Sequence, residues 1–210
     1  MNDMASSNRQ PDVIRPRRPA DFEALYAGTP PWDIGRPQKE FQALAQAGHI
    51  RGHVLDVGCG TGEHALMAAE LGLEATGIDL SATAIGIAER KARERGLSAR
   101  FAVGDVCDMG FLEEQFDTVL DCGLFHVLTN DDRPRFVDSL RSVVSAGGVY
   151  HMLCFSEHEP GDVGPRRVTQ DEIRASFSDG WRVDSIEPAR IEVVMAFANP
   201  RSWHATIVRV

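Results

Sequence analysis

Acids and glycines at the ends of apolar runs are the residues in this chain whose types and spacing could do chemistry. Val54-Leu55-Asp56-Val57 is a β-favouring run that empties into Gly58-Cys59-Gly60-Thr61-Gly62, with glycine at alternate positions. Glycine there removes side chains where a backbone must turn sharply and come close to something bulky. A second run, Ala75 to Asp79, ends in an acid about 20 residues beyond the turn, the offset at which a carboxylate accepts hydrogen bonds from ribose hydroxyls. A third, Arg100 to Val103, leads through Gly104 into Asp105 and Val106, and Asp105 can accept from an adenine amino group. Asp56 belongs with them, because an acid at the end of a buried strand is costly unless something pairs with it.

The spacing discriminates among ligands. A dinucleotide fingerprint would put its third glycine at position 63, which is Glu63, a carboxylate that would repel a pyrophosphate. No Gly-Lys-Ser/Thr follows, so the phosphate-binding loop fails as well. The turn suits a ligand without phosphates, and an NAD-dependent oxidoreductase is the alternative that Glu63 and the displaced Gly62 count against.

The elements that must position these residues alternate along the chain. Glu63 to Leu71 reads as a helix with Gly72 at its end, and Ser81 as the N-cap of a helix over Ala82 to Arg95. The Arg90 to Arg95 stretch reads as a solvated helix face. Asp131 to Ala146 carries an apolar stripe and meets Gly147, and Val149 to Phe155 is a fifth strand. Thr169-Gln170-Asp171-Glu172 is a capping box opening a short helix through Phe177; Trp181 to Val193 and Trp203 to Val210 are the last strands. The expected architecture is α/β: a Rossmann-like, seven-stranded, mostly parallel sheet with helices on both faces and an antiparallel last strand.

These residues resemble the class I S-adenosylmethionine-dependent methyltransferases, whose glycine motif is matched by Asp56 to Gly62. Pro31-Trp32-Asp33-Ile34-Gly35-Arg36-Pro37 is similar to the N-terminal signature of the thiopurine, halide and tellurite branch. Phe116 to His126 is similar to the fourth strand of mycobacterial methyltransferases acting on benzoquinones and toxic heterocycles. The resemblance implies S-adenosylmethionine as cofactor. Gly58, Gly60 and Gly62 would then pass under its methionine portion with Cys59, Asp56 would lie near its amino group, and Asp79 would hold the ribose beside Leu80. Gly104, Asp105 and Val106 would line the adenine; Asp121, Cys122 and Gly123 would face the sulfonium; Trp32 would close over the top.

Ligands of such a sheet sit at the carboxyl ends of the strands. That gathers Phe125, His126, the loop after Phe155 and the loop from Met195 to Ser202 around one mouth, where Trp32, Phe125, Phe155, Met195 and Phe197 would shape a pocket for a small flat acceptor. Glu157 to Arg167, rich in Pro and Gly, reads as a mobile loop over the same face. His126 is the candidate general base for a phenol, thiol or heterocyclic N–H. The expected activity is methyl transfer to oxygen or nitrogen of a small aromatic or heterocyclic acceptor (a phenol, quinol or toxic heterocycle), with detoxification as the purpose the resemblance suggests. A thiol, halide or tellurite acceptor is the runner-up, and a cofactor-binding protein without turnover a further alternative.

Composition bounds the rest. The chain has 210 residues, 43% of them hydrophobic, enough for one domain with a sizeable core. A formal charge of -9 argues against a nucleic-acid partner. No apolar run is long enough to cross a bilayer, and the four cysteines lack metal-type spacing, so the expectation is a metal-independent cytoplasmic enzyme, monomer or weak homodimer, with reduced thiols. Residues 1–20 read as a flexible arm and 21–210 as one domain: 21–48 a lid, 49–157 the cofactor core, 158–210 the substrate side.

Overall fold

The computed structural model describes residues 19–162, 164–194 and 199–210. Its sheet is built from β1 (Val54–Val57), β2 (Ala75–Asp79), β3 (Ala99–Val103), β4 (Phe116–Cys122), β5 (Val144–Phe155), β6 (Trp181–Arg190) and β7 (Arg201–Arg209), in the order β3-β2-β1-β4-β5-β7-β6. Neighbouring pairs from β3 through β5 run parallel, and β7 runs antiparallel to both its neighbours. Every residue of β1 and β2 is buried, which is why both read as apolar runs: helix layers cover both faces.

Two cores result. On one face α2 (Lys39–Gln46) and α3 (Glu63–Glu70) bury Phe41, Ala65 and Ala68 against Val54, Leu120 and Leu153. On the other, α5 (Asp132–Val143) and α6 (Gln170–Ser176) bury Phe136, Leu140, Ile173 and Phe177 against Val119, Tyr150 and Met152. α1 (Pro19–Leu25) and α4 (Ala82–Arg95) pack on each other beside β2 and β3. The Ser81 cap and the Thr169/Glu172 capping box form as the sequence predicts.

Three boundaries differ from the sequence reading. β5 begins at Val144 rather than Val149, and Gly147 (φ +77°) lies within the strand instead of ending a helix. Gly148 is packed so closely on its own strand that a Cβ would stand 2.8 Å from the Ser145 carbonyl, so the two glycines absorb the register shift between Phe116 and Thr118. β6 stops at Arg190, because Glu192 gives its backbone to Gln38 instead of to the sheet. The strand order reverses between the parallel β1 and β4, and the carboxyl ends of β1, β2, β4 and β5 lie at one edge.

Candidate functional site

The glycine turn and Asp79 are built as one unit. Gly58, Gly60 and Gly62 all take positive φ (63°, 52° and 85°). A Cβ on Gly60 would stand 2.7 Å from Tyr26 Oη, and one on Gly62 would stand 2.7 Å from Phe101 Cε1 and 2.8 Å from Ala88 Cβ. The turn is therefore closed to any side chain. Gly60 N–H donates to Asp79 Oδ2 (2.9 Å) and Ser81 N–H to Oδ1 (2.8 Å), aiming the carboxylate while leaving each oxygen capacity for another donor. Burial pushes the Asp79 carboxyl up, and these two N–H groups only partly oppose it, so hydroxyl donors from a ligand would relieve a standing cost.

Asp56 is almost fully buried; its Oδ2 accepts from Ala65 N–H (3.2 Å) and Oδ1 lies 3.7 Å from His64 Nδ1. It steadies the first turn of α3 as well as facing the turn. Cys59 is buried between these acids, and desolvation pushes its thiol well up, making it a wall and not a nucleophile. Glu63, the residue that excludes a pyrophosphate, points at α4: Lys91 Nζ and both Arg95 amino groups reach its carboxylate at 2.8–2.9 Å. Burial alone would push Glu63 up, but these cations more than offset it and hold it below its usual range. Lys91 and Arg95 are thus partners of Glu63, while Arg90, Arg93 and Glu94 stay exposed as the solvated face expected of this stretch.

Beyond β2 the chain leaves Leu80 partly exposed, while Gly104 N–H donates to the Asp79 carbonyl (3.0 Å). A Cβ on Gly104 would stand 2.6 Å from Phe111 Cζ, so the half-exposed Phe111, missed by sequence reasoning, closes this side of the groove. Val106 is buried; Asp105 is exposed and turns one oxygen to Cys107 N–H (2.9 Å).

Residues 19–48, which include the expected lid of 21–48, lie against the turn. Glu23 accepts from Ser81 Oγ (2.6 Å) and from the Thr83 hydroxyl. Trp32 Nε1 donates to Tyr26 Oη (3.1 Å), and Asp33 accepts from Thr61 Oγ1 (3.0 Å). Trp32 remains 37% exposed, an indole available to a ligand. At the far side, Gln38 makes a two-way pairing with the Glu192 backbone (2.8 and 3.0 Å), and Arg36 grips the Glu192 carboxylate with both amino groups (2.7 and 2.9 Å). Tyr26, Glu23 and Gln38 had no sequence signal beyond their residue type.

The turn after β4 departs from expectation. Asp121 is fully buried and accepts from Leu124 N–H (2.8 Å), Phe125 N–H (3.2 Å) and Tyr150 Oη–H (2.6 Å). Burial pushes its carboxyl up to about 7, against those three donors. Its carboxylate faces inward and shapes the turn, in place of facing the sulfonium. By pulling the Leu124 and Phe125 amides inward it sends Phe125 into the core, fully buried and 5.9 Å from the Phe177 ring, so Phe125 is not a pocket wall. Cys122 and Gly123 (φ +84°) remain at the strand end, with burial pushing the Cys122 thiol up. Phe197, like Met195, lies outside the described residues.

His126 is brought to the mouth, in a different chemical state from the expected one. Its Nδ1 accepts from Phe155 N–H (3.0 Å), and its ring meets the Phe155 ring edge-on at 4.9 Å. Accepting at Nδ1 fixes the neutral tautomer with hydrogen on Nε2, the nitrogen 3.2 Å from where a Gly123 Cβ would be. Burial, with Arg167 and Arg133 nearby, pushes its pKa down to about 3. A proton taken by this ring would have to displace the Phe155 hydrogen bond. The occupied Nδ1 and the burial both count against the expected general base at His126 and leave Nε2–H as its free polar group among the described residues.

A glycine cradle, an aimed acid at the end of β2 and residues 19–48 packed against both fit a Rossmann-like methyltransferase; the closed glycine turn and the spare acceptor capacity of Asp79 fit S-adenosylmethionine. Residues 54–148 match the family model described as a methyltransferase domain. The chain is 39% identical, over 81% of its length and 80% of the relative's, to the 2-heptyl-1-hydroxyquinolin-4(1H)-one methyltransferase of Mycobacteroides abscessus. It belongs to the S-adenosylmethionine-dependent methyltransferases, with S-adenosylmethionine as cofactor. A structure solved for the conversion of a disulfide bond into a thioacetal group during echinomycin biosynthesis superposes with a TM-score of 0.83 at 36% identity, covering 91% of this chain and 93% of that one. The glycopeptide N-methyltransferase MtfA complexed with S-adenosylmethionine shares the fold (TM-score 0.66, 18% identity, 81% and 93% covered).

Proposed function

We propose that the protein methylates an ionisable oxygen or nitrogen of a small aromatic or heterocyclic acceptor. The observation that carries this reading is His126: a neutral donor held at the mouth by Phe155 serves an acceptor acidic enough to need no protein base. The hydroxyquinolone substrate in the name of the M. abscessus relative is of that kind. When bound, S-adenosylmethionine would supply a methyl group on a positive sulfur for the acceptor's lone pair. The chain's own contribution is positioning and exclusion of water. Asp79 and the glycine turn fix the nucleoside, with Asp56 near the amino group. Leu80, Gly104, Asp105 and Val106 would take the adenine, and Cys122 and Gly123 would lie beside the sulfonium. Trp32 and Phe155 supply aromatic surface, and His126 Nε2–H orients the acceptor.

We place the reaction in the cytoplasm, where the free cysteines, two of them buried, stay reduced. Methylation removes an acidic group from a toxic heterocycle, the sense in which it would detoxify. Sulfur is the second reading, favoured by the similarity to the protein of thioacetal formation. The test is calorimetric titration with S-adenosylhomocysteine, NAD as control, followed by turnover on 1-hydroxyquinolin-4(1H)-one and thiophenol. Binding of S-adenosylhomocysteine with turnover of the hydroxyquinolone upholds the proposal. Turnover of the thiol alone replaces it with the second reading, and binding without turnover of either leaves a cofactor-binding protein.

A further inference from the structure

Arg133, in the first turn of α5, is 6% exposed, and its guanidinium lies over the Phe125 ring, 4.7 Å from the centroid. Among the described residues only Nη1 has a hydrogen-bond partner, Glu172 Oε1 at 3.2 Å; Nε and Nη2 are wholly buried with none there. A buried cation with two unanswered N–H groups is among the costliest arrangements a fold can hold.

The surrounding charges do not answer it. Glu172 is shared: Oε1 also engages Arg166, and Oε2 accepts from Thr169 N–H (2.8 Å) to cap α6. Arg167, whose guanidinium lies 5.5 Å above the Phe155 ring centroid, is engaged by the carbonyls of Glu159, Pro160 and Pro165. Glu157 turns to Trp203 Nε1 (2.6 Å) and Glu159 to Arg201 N–H (2.7 Å). Cys154, also beside Arg133, has its thiol pushed up by burial and stays uncharged, and His126 is neutral. Arg133 and Arg166 thus share a single oxygen of Glu172, the other being taken by the cap of α6.

We propose that Arg133 anchors an anion site beneath the 157–168 loop, and that the acceptor binds there as its conjugate base, an ionised hydroxyl or N-hydroxyl group conjugated with a ring. This rests on the methyl-transfer reading and gives its acceptor a charge. The step balances without a protein base. The acceptor's proton is lost to solvent before binding, the anion's lone pair forms the bond to the methyl carbon, and the C–S pair goes to sulfur. One negative and one positive charge disappear together. The methylated product is neutral and has lost the charge that Arg133 held, so the same site that recruits the acceptor releases the product.

The experiment uses the protein saturated with S-adenosylhomocysteine and 4-nitrophenol as probe, whose phenol and phenolate forms absorb at different wavelengths. At a pH where the free probe is mostly protonated, the bound probe is expected to show the phenolate spectrum, and 4-nitroanisole, its neutral methylated form, to bind at least about tenfold more weakly. Arg133→Met should weaken phenolate binding about tenfold or more, with partial recovery in Arg133→Lys. If the variants do not fold, the spectrum of the wild-type complex decides alone. Binding in the phenol form, equal affinity for 4-nitroanisole, or no probe binding by a complex that does take S-adenosylhomocysteine would overturn the anion site while leaving methyl transfer standing. Failure to bind S-adenosylhomocysteine at all would overturn the methyl-transfer reading, and this proposal with it.

Discussion

Asp79 shows how one side chain at the end of a strand can serve both the fold and the ligand. Its oxygens fix Gly60 and Ser81 through backbone N–H groups, and its remaining acceptor capacity is what the proposed ribose contact would use. Asp79→Ala should weaken S-adenosylhomocysteine binding by about 1 to 3 kcal/mol in calorimetry, because two ribose hydroxyls lose their acceptor and the glycine turn loses its brace. Unchanged affinity would mean that the ribose lies elsewhere. Such a role is legible from sequence because it depends on a local offset between a glycine turn and an acid. The parts of Asp121 and Phe125 are not, since which way each points is decided by three hydrogen bonds to a residue of β5 and to the turn itself. His126 lies between these cases: its place at the mouth follows from the strand end, its tautomer only from the Phe155 amide. His126→Ala should raise KM for the acceptor while leaving the pH dependence of kcat between about pH 6 and 8 unchanged, since a group with a pKa of about 3 does not titrate there. A titration in kcat that vanishes in the variant would restore the general base.

At the scale of elements, residues 31–39, which we propose as the lid over the cofactor, are held by the connection after β6. Arg36 binds Glu192 bidentately, Lys39 approaches the same carboxylate at 3.3 Å, Gln38 pairs with the Glu192 backbone, and Val194 N–H donates to the Pro31 carbonyl at 2.8 Å. Arg36 pulls the Glu192 carboxyl down to about 2, so this clamp stays charged at any working pH. Arg36 is half exposed, and salt will screen part of its attraction. Glu192→Gln keeps the side-chain shape and the backbone pairing but removes the charge. It should speed dissociation of S-adenosylhomocysteine severalfold, a loss of about 1 kcal/mol in the closed lid, without slowing methyl transfer once both substrates are bound. An unchanged dissociation rate in stopped flow would show that the lid opens elsewhere. None of this clamp could be read from the sequence, because the partners stand 156 positions apart and neither belongs to a periodic pattern. The strands and helices themselves were readable, since apolar runs and caps are local. The boundaries that slipped, at Gly147 and Arg190, are those set by a neighbouring strand or by Gln38.

The whole molecule carries buried titratable groups of opposite sign, and their balance sets how stability follows pH. His126 and His151 are buried with pKa values pushed down to about 3, mainly by desolvation, and the His151 Nε2 has no partner among the described residues. Both are neutral in the fold, while in the unfolded chain they take up protons near the ordinary value of about 6.5. Their contribution is fully present above that value and is lost as pH falls from about 6.5 toward 3. Asp121 works the other way. Raised from 3.8 to about 7, it contributes fully below its unfolded value and loses that contribution as pH rises through about 7. The windows overlap almost completely, so the observed slope is a difference in which two histidines oppose one aspartate. His204, also held low by burial, adds to the histidine side, and Asp79, held high by burial, to the other. We therefore expect the thermal midpoint to fall on going from about pH 7 to about pH 5. His151→Phe tests this cleanly, because His151 lies on β5 against Thr206 and His204, away from the mouth. The variant removes an unpartnered nitrogen and one proton-binding site of the unfolded chain, so the drop in midpoint between the two pH values should shrink relative to the parent. Asp121→Asn should enlarge it, having removed the group that offsets the histidines. A His151→Phe protein whose midpoint falls as steeply as the parent's would mean that the imidazole is already protonated in the fold, and that an acceptor not yet identified faces its Nε2.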